Sequence, residues 1–298
     1  MKVLSLFDGM SCGQLALERV GIKVDEYYAS EIKTHAIELT MLHFPNTIQI
    51  GDVNKVHYEN GILKTEKGEF NVGKIDLLIG GSPCQNFSIA NKVDRRGLEG
   101  EKSKLFYEYL RLLNEVKPKY FLLENVKMNK KSRAELDEYL GVKGIDINSN
   151  LVSFQNRARI YWTNIPNIVP PKDRNVNFQD YKDTDYNYCK QFKVKRTPSR
   201  EIMWNNGNGK HCLKNCINVT HSTKIGCVTR KQDRSPNSGL IEFEDFCRYL
   251  TRKELEQAQT VPVGYTDSLS YNKAQDLLGD GWTVDVIAHI FSFIKDED

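Results

Sequence analysis

The sequence predicts an α/β fold in which a doubly wound, mostly parallel sheet carries a small, loop-rich lobe. In the first 165 residues, short apolar segments alternate with segments of helical spacing, which is typical of a parallel sheet covered by helices on both faces. After Pro166 the composition shifts to Pro, Gly, Asn and basic residues, which favours loops up to about Leu240. From Thr251 helical spacing returns. We therefore expect a core of residues 1–168, a lobe of 169–248 and a C-terminal segment of 249–298 that returns to the core.

Five apolar segments near the start of the chain predict the strands of this sheet. They are rich in Val, Ile, Leu and Tyr, and polar stretches separate them. Before the last of them, apolar residues from Leu105 to Val116 recur at helical spacing, and Pro118 ends the implied helix. The predicted strands are residues 3–6, 26–29, 48–50, 75–79 and 120–123.

Later segments predict a hairpin and two helices. Residues 151–154 and 159–163 are rich in β-forming side chains and are joined by a polar link, which predicts a β-hairpin. Thr251 is followed three residues later by Glu254, the spacing of a capping box at the start of a helix. Apolar positions from Val284 to Phe291 indicate a closing amphipathic helix.

Positive charge is concentrated in one part of the chain. The 298 residues have a net charge of +3, but residues 187–240 hold eleven Lys and Arg and only two acids, Glu201 and Asp233. A basic segment on a mildly acidic body suits a protein that contacts a phosphate backbone. A solvated surface loop would show the same excess, so charge alone leaves both interpretations open.

Composition argues against membrane, disulfide-rich and zinc-binding proteins. No apolar run reaches the roughly eighteen residues that span a bilayer, and 40% hydrophobic residues suffice for a globular core. The seven cysteines include no CxxC pair. The spacing of His211, Cys212, Cys216, His221 and Cys227 matches no zinc pattern. We therefore expect a cytoplasmic protein with reduced thiols, without membrane contact or metal.

The first predicted strand runs into a turn that contains Gly9 and Gly13. Such a turn lets the backbone approach a ligand at a helix N-terminus, although many α/β proteins use it only to turn the chain. The next two strands lead to Glu31 and Asp52, at the edge where doubly wound folds hold a ribose with an acid. Each acid could equally cap a helix or lie on the surface. The pattern indicates a small-cofactor site.

One cysteine stands in a constrained polar segment. Cys84 follows an apolar strand within Gly80-Gly81-Ser82-Pro83-Cys84-Gln85-Asn86-Phe87-Ser88, whereas a buried structural cysteine would have apolar neighbours. A thiol held by Gly and Pro at the carboxyl edge of a parallel sheet is placed as a nucleophile, provided that a neighbour favours the thiolate. The fifth strand delivers Glu124 to the same edge. Because burying a carboxyl group is costly, we expect this acid to have a function.

Two arginines, Arg157 and Arg159, stand two positions apart. In an extended chain they would share one face, and two parallel guanidinium groups suit an anionic or carbonyl-rich ligand. A pair of surface arginines on a hairpin is the simpler interpretation, which these residues alone favour.

Taken in order, four motifs resemble those of the cytosine-5 DNA methyltransferase family. They are Phe7-Asp8-Gly9, Pro83-Cys84, Glu124-Asn125-Val126 and Gln155-x-Arg157-x-Arg159. The likeness covers almost the whole chain and is strongest to the catalytic domain of the vertebrate de novo methyltransferases, at residues 29–31, 97–100, 157–159 and 281–284. It implies a Rossmann-like class I methyltransferase fold with a target-recognition lobe, in a stand-alone enzyme of a bacterium or a phage.

The resemblance implies a role for each residue that matches. Cys84 would add to carbon 6 of a cytosine flipped out of the duplex, which makes carbon 5 nucleophilic enough to accept a methyl group. Glu124 would bind the ring N3 and the exocyclic amine, and Arg159 would hold the O2 atom. Arg157 would hold the adjacent phosphate and the segment that carries Cys84.

The implied cofactor is S-adenosylmethionine, with S-adenosylhomocysteine as its product. Glu31 would bind the ribose, Asp52 and Val53 would lie at the adenine, and residues 281–284 would close the pocket. Asp285 stands where the family usually has proline, which puts the shape of that last turn in doubt. The implied pocket residues are Phe7, Asp8, Gly9, Ser11, Gly13, Glu31, Asp52, Val53, Gly281, Trp282, Thr283 and Val284.

The implied partner is double-stranded DNA; a homo-oligomer is compatible with the sequence but is not predicted, and the oligomeric state stays open. One branch of the family uses the same cysteine segment to methylate transfer RNA, and a relative could keep the fold without the reaction; both alternatives stay open. The intact motif residues argue against the second. The residues expected at DNA are Ser88, Lys224, Arg230, Lys231 and Arg234.

Overall fold

The computed structural model describes two compact units. The first comprises Met1–Ile147, Ala158–Pro170 and Ile287–Asp298, and the second comprises Asn148–Arg157 and Pro171–Val286. In the part of the chain that is described, no helix is long and apolar enough to cross a membrane. The described residues are 1–82, 104–195, 198, 218–232, 238–243 and 245–295.

Most strands of the first unit belong to one sheet. The strands of this unit are β1 (Lys2–Leu6), β2 (Glu26–Ser30), β3 (Ile48–Gln49), β4 (His57–Glu59), β5 (Ile62–Thr65), β6 (Gly68–Asn71), β7 (Leu77–Gly80), β8 (Tyr120–Val126), β9 (Ile145–Asn148) and β10 (Ala158–Thr163). Seven of them form a sheet in the order β3-β2-β1-β7-β8-β10-β9. Neighbours from β3 to β8 are parallel, and β10 runs antiparallel to β8. The predicted α/β fold with a mostly parallel sheet is confirmed.

Burial explains why the central strands are nearly continuous apolar runs in the sequence. Leu4 in β1, Leu78 in β7 and Leu123 in β8 are fully buried in one cluster, because helices cover the sheet. The predicted strands at 3–6, 26–29, 48–50, 75–79 and 120–123 correspond to β1, β2, β3, β7 and β8. The helices of this part are α1 (Cys12–Arg19), α2 (Thr34–His43), α3 (Lys104–Val116), which was predicted, and α4 (Lys130–Leu140).

A three-stranded antiparallel meander, β4-β5-β6, was not predicted. Its strands contain three or four residues each and are mostly exposed, so they lack a strong apolar alternation. Arg111 of α3 links this meander to the core. Its guanidinium donates to the carbonyl of Val56, just before β4, at 2.7 Å and pairs with Glu115 at 2.6 Å, and Glu115 also accepts from the Tyr58 amide of β4 at 2.9 Å.

The predicted hairpin of residues 151–154 and 159–163 is wrong. Ser149–Leu151 form a 3-10 turn, and β10 pairs with β8 in the register Tyr161↔Glu124. The β-forming side chains at 152–154 serve packing instead. Phe154, for example, is buried and its ring centroid lies 5.2 Å from that of Phe178.

The second unit contains short helices and a small two-stranded sheet. The capping box predicted at Thr251 is confirmed, since its side chain accepts from the Glu254 amide while Glu254 accepts from the Thr251 amide. The elements are α5 (Tyr186–Lys190), β11 (Ile241–Glu242), β12 (Cys247–Arg248), α6 (Arg252–Ala258) and α7 (Tyr271–Asp280). The predicted closing helix is confirmed as α8 (Val284–Phe291).

Candidate active site

The turn after β1 has an unusual backbone. Phe7, Gly9 and Ser11 have φ of 57°, 61° and 57°, in the left-handed region. For the two residues with side chains this conformation costs about 1–3 kcal/mol each. The Asp8 amide donates to the carbonyl of Ser30 at the end of β2, which fixes the turn to the neighbouring strand. Strain of this kind is commonly kept where a backbone must meet a ligand.

Asp8 is the centre of a hydroxyl cluster beneath this turn. Its carboxylate accepts from the Ser5 hydroxyl at 2.6 Å and from the Tyr27 hydroxyl at 2.8 Å, and also from the Ser11 hydroxyl. Burial raises the pKa of Asp8 to about 6, an effect that the nearby charge of Glu31 increases and the three hydrogen bonds reduce. The carboxylate therefore holds both ends of the turn.

Glu31, at the end of β2, is tied to the same turn. Its Oε2 accepts from the Gly9 amide at 2.8 Å, and its Oε1 accepts from the amides of Ile32 at 2.8 Å and Lys33 at 2.9 Å. Glu31 therefore also acts as a capping acid, one of the alternatives named for it above, because the amides of Ile32 and Lys33 directly precede α2. A carboxylate has about four acceptor positions, so one more donor can be bound.

Asp52 follows β3 at the same edge of the sheet. It caps a 3-10 turn by accepting from the Asn54 amide at 3.0 Å, and Val53 beside it is buried. The Ser30 hydroxyl donates to the carbonyl of Gly51 at 2.7 Å and so links the ends of β2 and β3. Asp52 therefore also acts as a capping residue, as the sequence analysis allowed, and this role uses one of its two carboxylate oxygens.

Glu66, at the tip of the β5-β6 hairpin, is a neighbour that sequence reasoning missed. Its carboxylate accepts from the Asp52 amide at 3.0 Å and pairs with Lys55 at 2.7 Å. Gly51 has a φ of 81°, in the left-handed region that favours glycine, and a Cβ there would also displace the Glu66 carboxylate. No sequence signal pointed to this contact, because it depends on the fold of the unpredicted meander.

Gly13 has a packing role in α1. A Cβ at this position would lie 2.4 Å from Cδ1 of Ile79 and 2.9 Å from the hydroxyl of Tyr27. Glycine therefore lets α1 pack closely on the sheet, and a larger residue would push the helix and the preceding turn away.

The edge formed by β1, β2 and β3 fits a nucleoside. Glu31 and Asp52 present carboxylate oxygens at the ends of adjacent parallel strands, and a ribose diol and an exocyclic amine supply the donors that carboxylates accept. The turn after β1 adds Gly9, a backbone position without a side chain, at the same edge of the sheet.

Strand β7 ends beside Glu124, the predicted catalytic acid, since Gly80 pairs with Leu123 of β8. Cys84 and Ser88 lie outside the described residues, but Ser82 is held by Asn125, whose side-chain amide donates to its hydroxyl at 3.2 Å. Gly80, at the end of β7, has room for no side chain, since a Cβ would lie 2.9 Å from the Tyr109 ring. The chain that leads to Cys84 is thus fixed to the strand of Glu124.

Glu124 and Arg159 form an ion pair within the first unit. The Nε of Arg159 lies 2.8 Å from Oε1 of Glu124, and the exposed fractions of the two side chains are 14% and 11%. The antiparallel pairing of β8 with β10 brings them together. An acceptor and a donor of this kind, little exposed and adjacent, can bind complementary donor and acceptor atoms of one planar ligand.

Arg157 has different partners from Arg159. Its guanidinium is buried in the second unit and donates to the carbonyls of Val228 at 3.0 Å, Gly279 at 3.0 Å and Gly281 at 2.9 Å. Both terminal nitrogens are therefore occupied by backbone.

The turn at residues 281–284 is held by Gln259, which sequence reasoning missed. Its side-chain amide donates to the carbonyl of Gly281 at 3.0 Å, and its Oε1 accepts from Thr283 at 2.9 Å and from Gln155 at 3.1 Å. Trp282 is half-buried, whereas Thr283 and Val284 are buried. These bonds rigidify the turn that was expected to close a cofactor pocket.

Asp285 is well suited to its position despite the departure from the family pattern. Its backbone amide donates to the Thr260 hydroxyl at 2.9 Å, a bond that proline could not make. Its carboxylate lies in the first turn of α8, where negative charge is favourable, and pairs with Arg174.

The basic residues expected at DNA differ in their surroundings. Lys224 donates to the carbonyls of Asn150 at 2.8 Å and Ser153 at 3.0 Å, and burial lowers its pKa. Arg230 pairs with Asp276 at 2.6 Å. Lys231 is exposed. Arg234 lies outside the described residues.

Comparisons with known proteins show the family and the fold of this chain. Residues 1–163 match the family model described as C-5 cytosine-specific DNA methylase. The orphan methyltransferase M.Rho11sI of Bacillus phage rho11s is 36% identical over a match that covers 43% of this chain and 23% of the phage protein. The type II methyltransferase M.NgoBV of Neisseria gonorrhoeae is 26% identical, and that match covers 92% of this chain and 67% of the relative.

The fold also has solved counterparts. The crystal structure of the S. pombe Dnmt2 methyltransferase superposes with a TM-score of 0.75 at 19% identity, over 98% of this chain and 97% of the other. At this level of identity the likeness establishes the fold.

Proposed function

This chain belongs to the C-5 cytosine-specific DNA methylase family, and on that premise we propose that it methylates carbon 5 of cytosine in duplex DNA with S-adenosylmethionine as the methyl donor. The observation that carries the proposal is the Glu124–Arg159 pair. Glu124 lies on β8, which neighbours the strand that leads to Cys84, and Arg159 lies on β10, the next strand beyond β8. The carboxylate can accept from the exocyclic amine of cytosine, and from N3 once that atom is protonated in the reaction, while the guanidinium can donate to O2.

The cofactor supplies an electrophilic methyl group when it is bound. In the first unit, the turn of Phe7, Asp8, Gly9 and Ser11 would hold it, with Glu31 at the ribose hydroxyls and Asp52 and Val53 at the adenine. Residues 281–284, a turn that Gln259 fixes, are further proposed cofactor contacts, which the family resemblance implies.

Catalysis would begin with addition of the Cys84 thiolate to carbon 6 of the extruded base. Glu124 would stabilise the charge that develops at N3 and the amine, and Arg159 would hold O2. Carbon 5 would then take the methyl group, with S-adenosylhomocysteine as the leaving group. A base would remove the carbon 5 proton, and the C5=C6 double bond would re-form as the Cys84 sulfur leaves carbon 6. Arg157 would hold the backbone at Val228, Gly279 and Gly281, and its proposed contact with a phosphate would use Nε, since both terminal nitrogens bind carbonyls.

Duplex DNA is the favoured substrate for two reasons. The family description names DNA, and the basic segment of residues 187–240 suits a phosphate backbone. The residues proposed to contact DNA are Lys231 and Arg234, together with Ser88, Lys224 and Arg230.

Label transfer tests the proposal. The protein is incubated with methyl-labelled S-adenosylmethionine and either duplex DNA or total RNA, and we expect label in DNA as 5-methylcytosine. The variant Cys84→Ser should transfer none, because a hydroxyl is a far weaker nucleophile at neutral pH. The matched control is Cys189→Ser, since Cys189 is buried and desolvation raises the pKa of its thiol to about 11. Label in RNA alone, or in neither polymer, would contradict the proposal.

A further inference from the structure

Tyr27 occupies a position that the assigned functions leave unexplained. It lies in β2, opposite Val3 of β1, and is buried apart from 3% of its surface. Its hydroxyl donates to Oδ1 of Asp8 at 2.8 Å. A buried phenol needs a partner for its hydroxyl, and here that partner is the residue in the middle of the strained turn.

The same hydroxyl also lies against α1. It is 2.9 Å from the position that a Cβ at Gly13 would occupy, so it fills the space that the glycine leaves. Tyr27 therefore contacts the turn on one side and the first turn of the following helix on the other. A change at this hydroxyl is transmitted to both.

The charges around Asp8 make the hydrogen bond consequential. Ser5 from β1, Ser11 from the turn and Tyr27 from β2 donate to the carboxylate, while the negative charge of Glu31 opposes its ionisation. Cys12 of α1 is the further titratable group that faces Tyr27. Burial raises the pKa of Asp8 to about 6, and the Tyr27 hydroxyl works in the opposite direction.

We propose that Tyr27 is a positioning residue, which through its hydrogen bond to Asp8 holds the turn of residues 7–11 in the conformation that binds S-adenosylmethionine. The inference rests on the proposed function. It adds a residue that does not itself touch the cofactor, and it makes cofactor affinity depend on the ionisation of Asp8.

The neighbouring tyrosine supplies a matched control. Tyr28 also donates its hydroxyl to a carboxylate, that of Glu26 at 2.7 Å, at the other end of the strand. The variants Tyr27→Phe and Tyr28→Phe thus each lose one phenol–carboxylate bond. The binding of S-adenosylhomocysteine is measured by calorimetry between pH 5.5 and 8, together with thermal unfolding.

We expect Tyr27→Phe to raise the Kd of S-adenosylhomocysteine about three- to tenfold at pH 7.5. The variant loses the hydrogen bond to Asp8, and part of the free energy of that bond is expected to appear as weaker cofactor binding. Tyr28→Phe should leave the Kd unchanged. The pKa of Asp8 should rise further without the phenol. Binding that requires ionised Asp8 weakens as pH falls through this pKa, so in Tyr27→Phe the weakening should begin at a higher pH than in the wild type.

A second variant keeps the inference testable if Tyr27→Phe is poorly folded. Asp8→Asn removes the ionisation, and we expect weaker binding whose dependence on pH near 6 is lost. If the wild type binds S-adenosylhomocysteine and Tyr27→Phe has the same Kd and pH profile, the inference alone is overturned. If the wild type binds none, the proposed function fails with it.

Discussion

At the scale of single residues, the site depends on carboxylates that are held by specific donors. Glu124 is 8% exposed and faces the Arg159 guanidinium at 2.8 Å. Without this partner a carboxylate in such a place would be strongly destabilised. The pair therefore holds an acceptor at a position where solvent is largely excluded, and there its interaction with a ligand is strong.

Glu124→Gln tests the proposed role of this carboxylate. The substitution keeps shape but removes the charge that would stabilise the reacting cytosine. We expect turnover to fall by about 10²–10³-fold, with DNA and cofactor binding nearly unchanged, as measured by label transfer and by titration. The exposed Glu138 of α4 provides the control variant Glu138→Gln. Unchanged turnover in Glu124→Gln would show that this acid is not part of the chemistry.

Glu31 permits a second measurement at this scale. Its carboxylate binds the Gly9 amide and is proposed to accept from the ribose, so Glu31→Ala should raise the cofactor Kd by roughly ten- to a hundredfold. Glu31→Gln keeps one acceptor oxygen and should fall between. Calorimetry reads both values, and an unaltered Kd in folded Glu31→Ala would move the pocket elsewhere.

At the scale of secondary-structure elements, a buried ion pair joins β12 to α6. Arg248 and Glu254 are both fully buried and meet in two hydrogen bonds of 2.7 and 2.8 Å. Glu254 also completes the capping box of α6 with Thr251. One carboxylate thus fixes the start of a helix and neutralises a buried arginine.

Removing one partner should be costly. Glu254→Ala leaves the Arg248 charge uncompensated, so we expect a loss of about 3–5 kcal/mol in the free energy of unfolding. The double variant Arg248→Met with Glu254→Leu should lose less than Glu254→Ala alone. Chemical denaturation measures both. If the double variant were less stable than Glu254→Ala, the unpaired charge of Arg248 would not be the main cost, which would contradict this explanation.

Local sequence patterns predicted the elements but not the contacts between distant residues. The continuous apolar runs of β1, β7 and β8 and the capping box at Thr251 are local signals, and the structure confirms them. The contact of Tyr27 with Asp8 depends on the pairing register of two strands, and Gln155 meets Gln259 across 104 positions. The hairpin at 151–163 failed because burial and strand pairing favour the same side chains.

At the scale of the whole molecule, charge is distributed unevenly along the chain. Four of the five proposed DNA-binding residues lie in the basic segment 187–240, and all four fall between Lys224 and Arg234. Their accessibility differs. Lys224 is committed to two backbone carbonyls, whereas Lys231 is exposed. Of this pair, Lys231 is the better candidate for a phosphate.

Lys231→Ala should weaken DNA binding and reduce its dependence on salt. If the ammonium group contacts one phosphate, the slope of log K against log salt becomes shallower by about one unit. Lys131→Ala is the matched control, because that side chain is 86% exposed on α4 of the first unit. Fluorescence anisotropy at several salt concentrations gives both slopes. Equal affinity and slope for wild type and Lys231→Ala would exclude this contact.

Trapping of the covalent intermediate tests the central claim most directly. Duplex DNA that carries 5-fluorocytosine at the target base is incubated with the protein and S-adenosylmethionine. Because fluorine at carbon 5 cannot leave as a proton, the wild type should remain joined to DNA as a denaturant-resistant adduct, and peptide mass spectrometry should locate the bond at Cys84. Cys84→Ser should form none. A wild type that methylates ordinary DNA but gives no adduct, or a bond at Cys12 or another cysteine, would contradict the account.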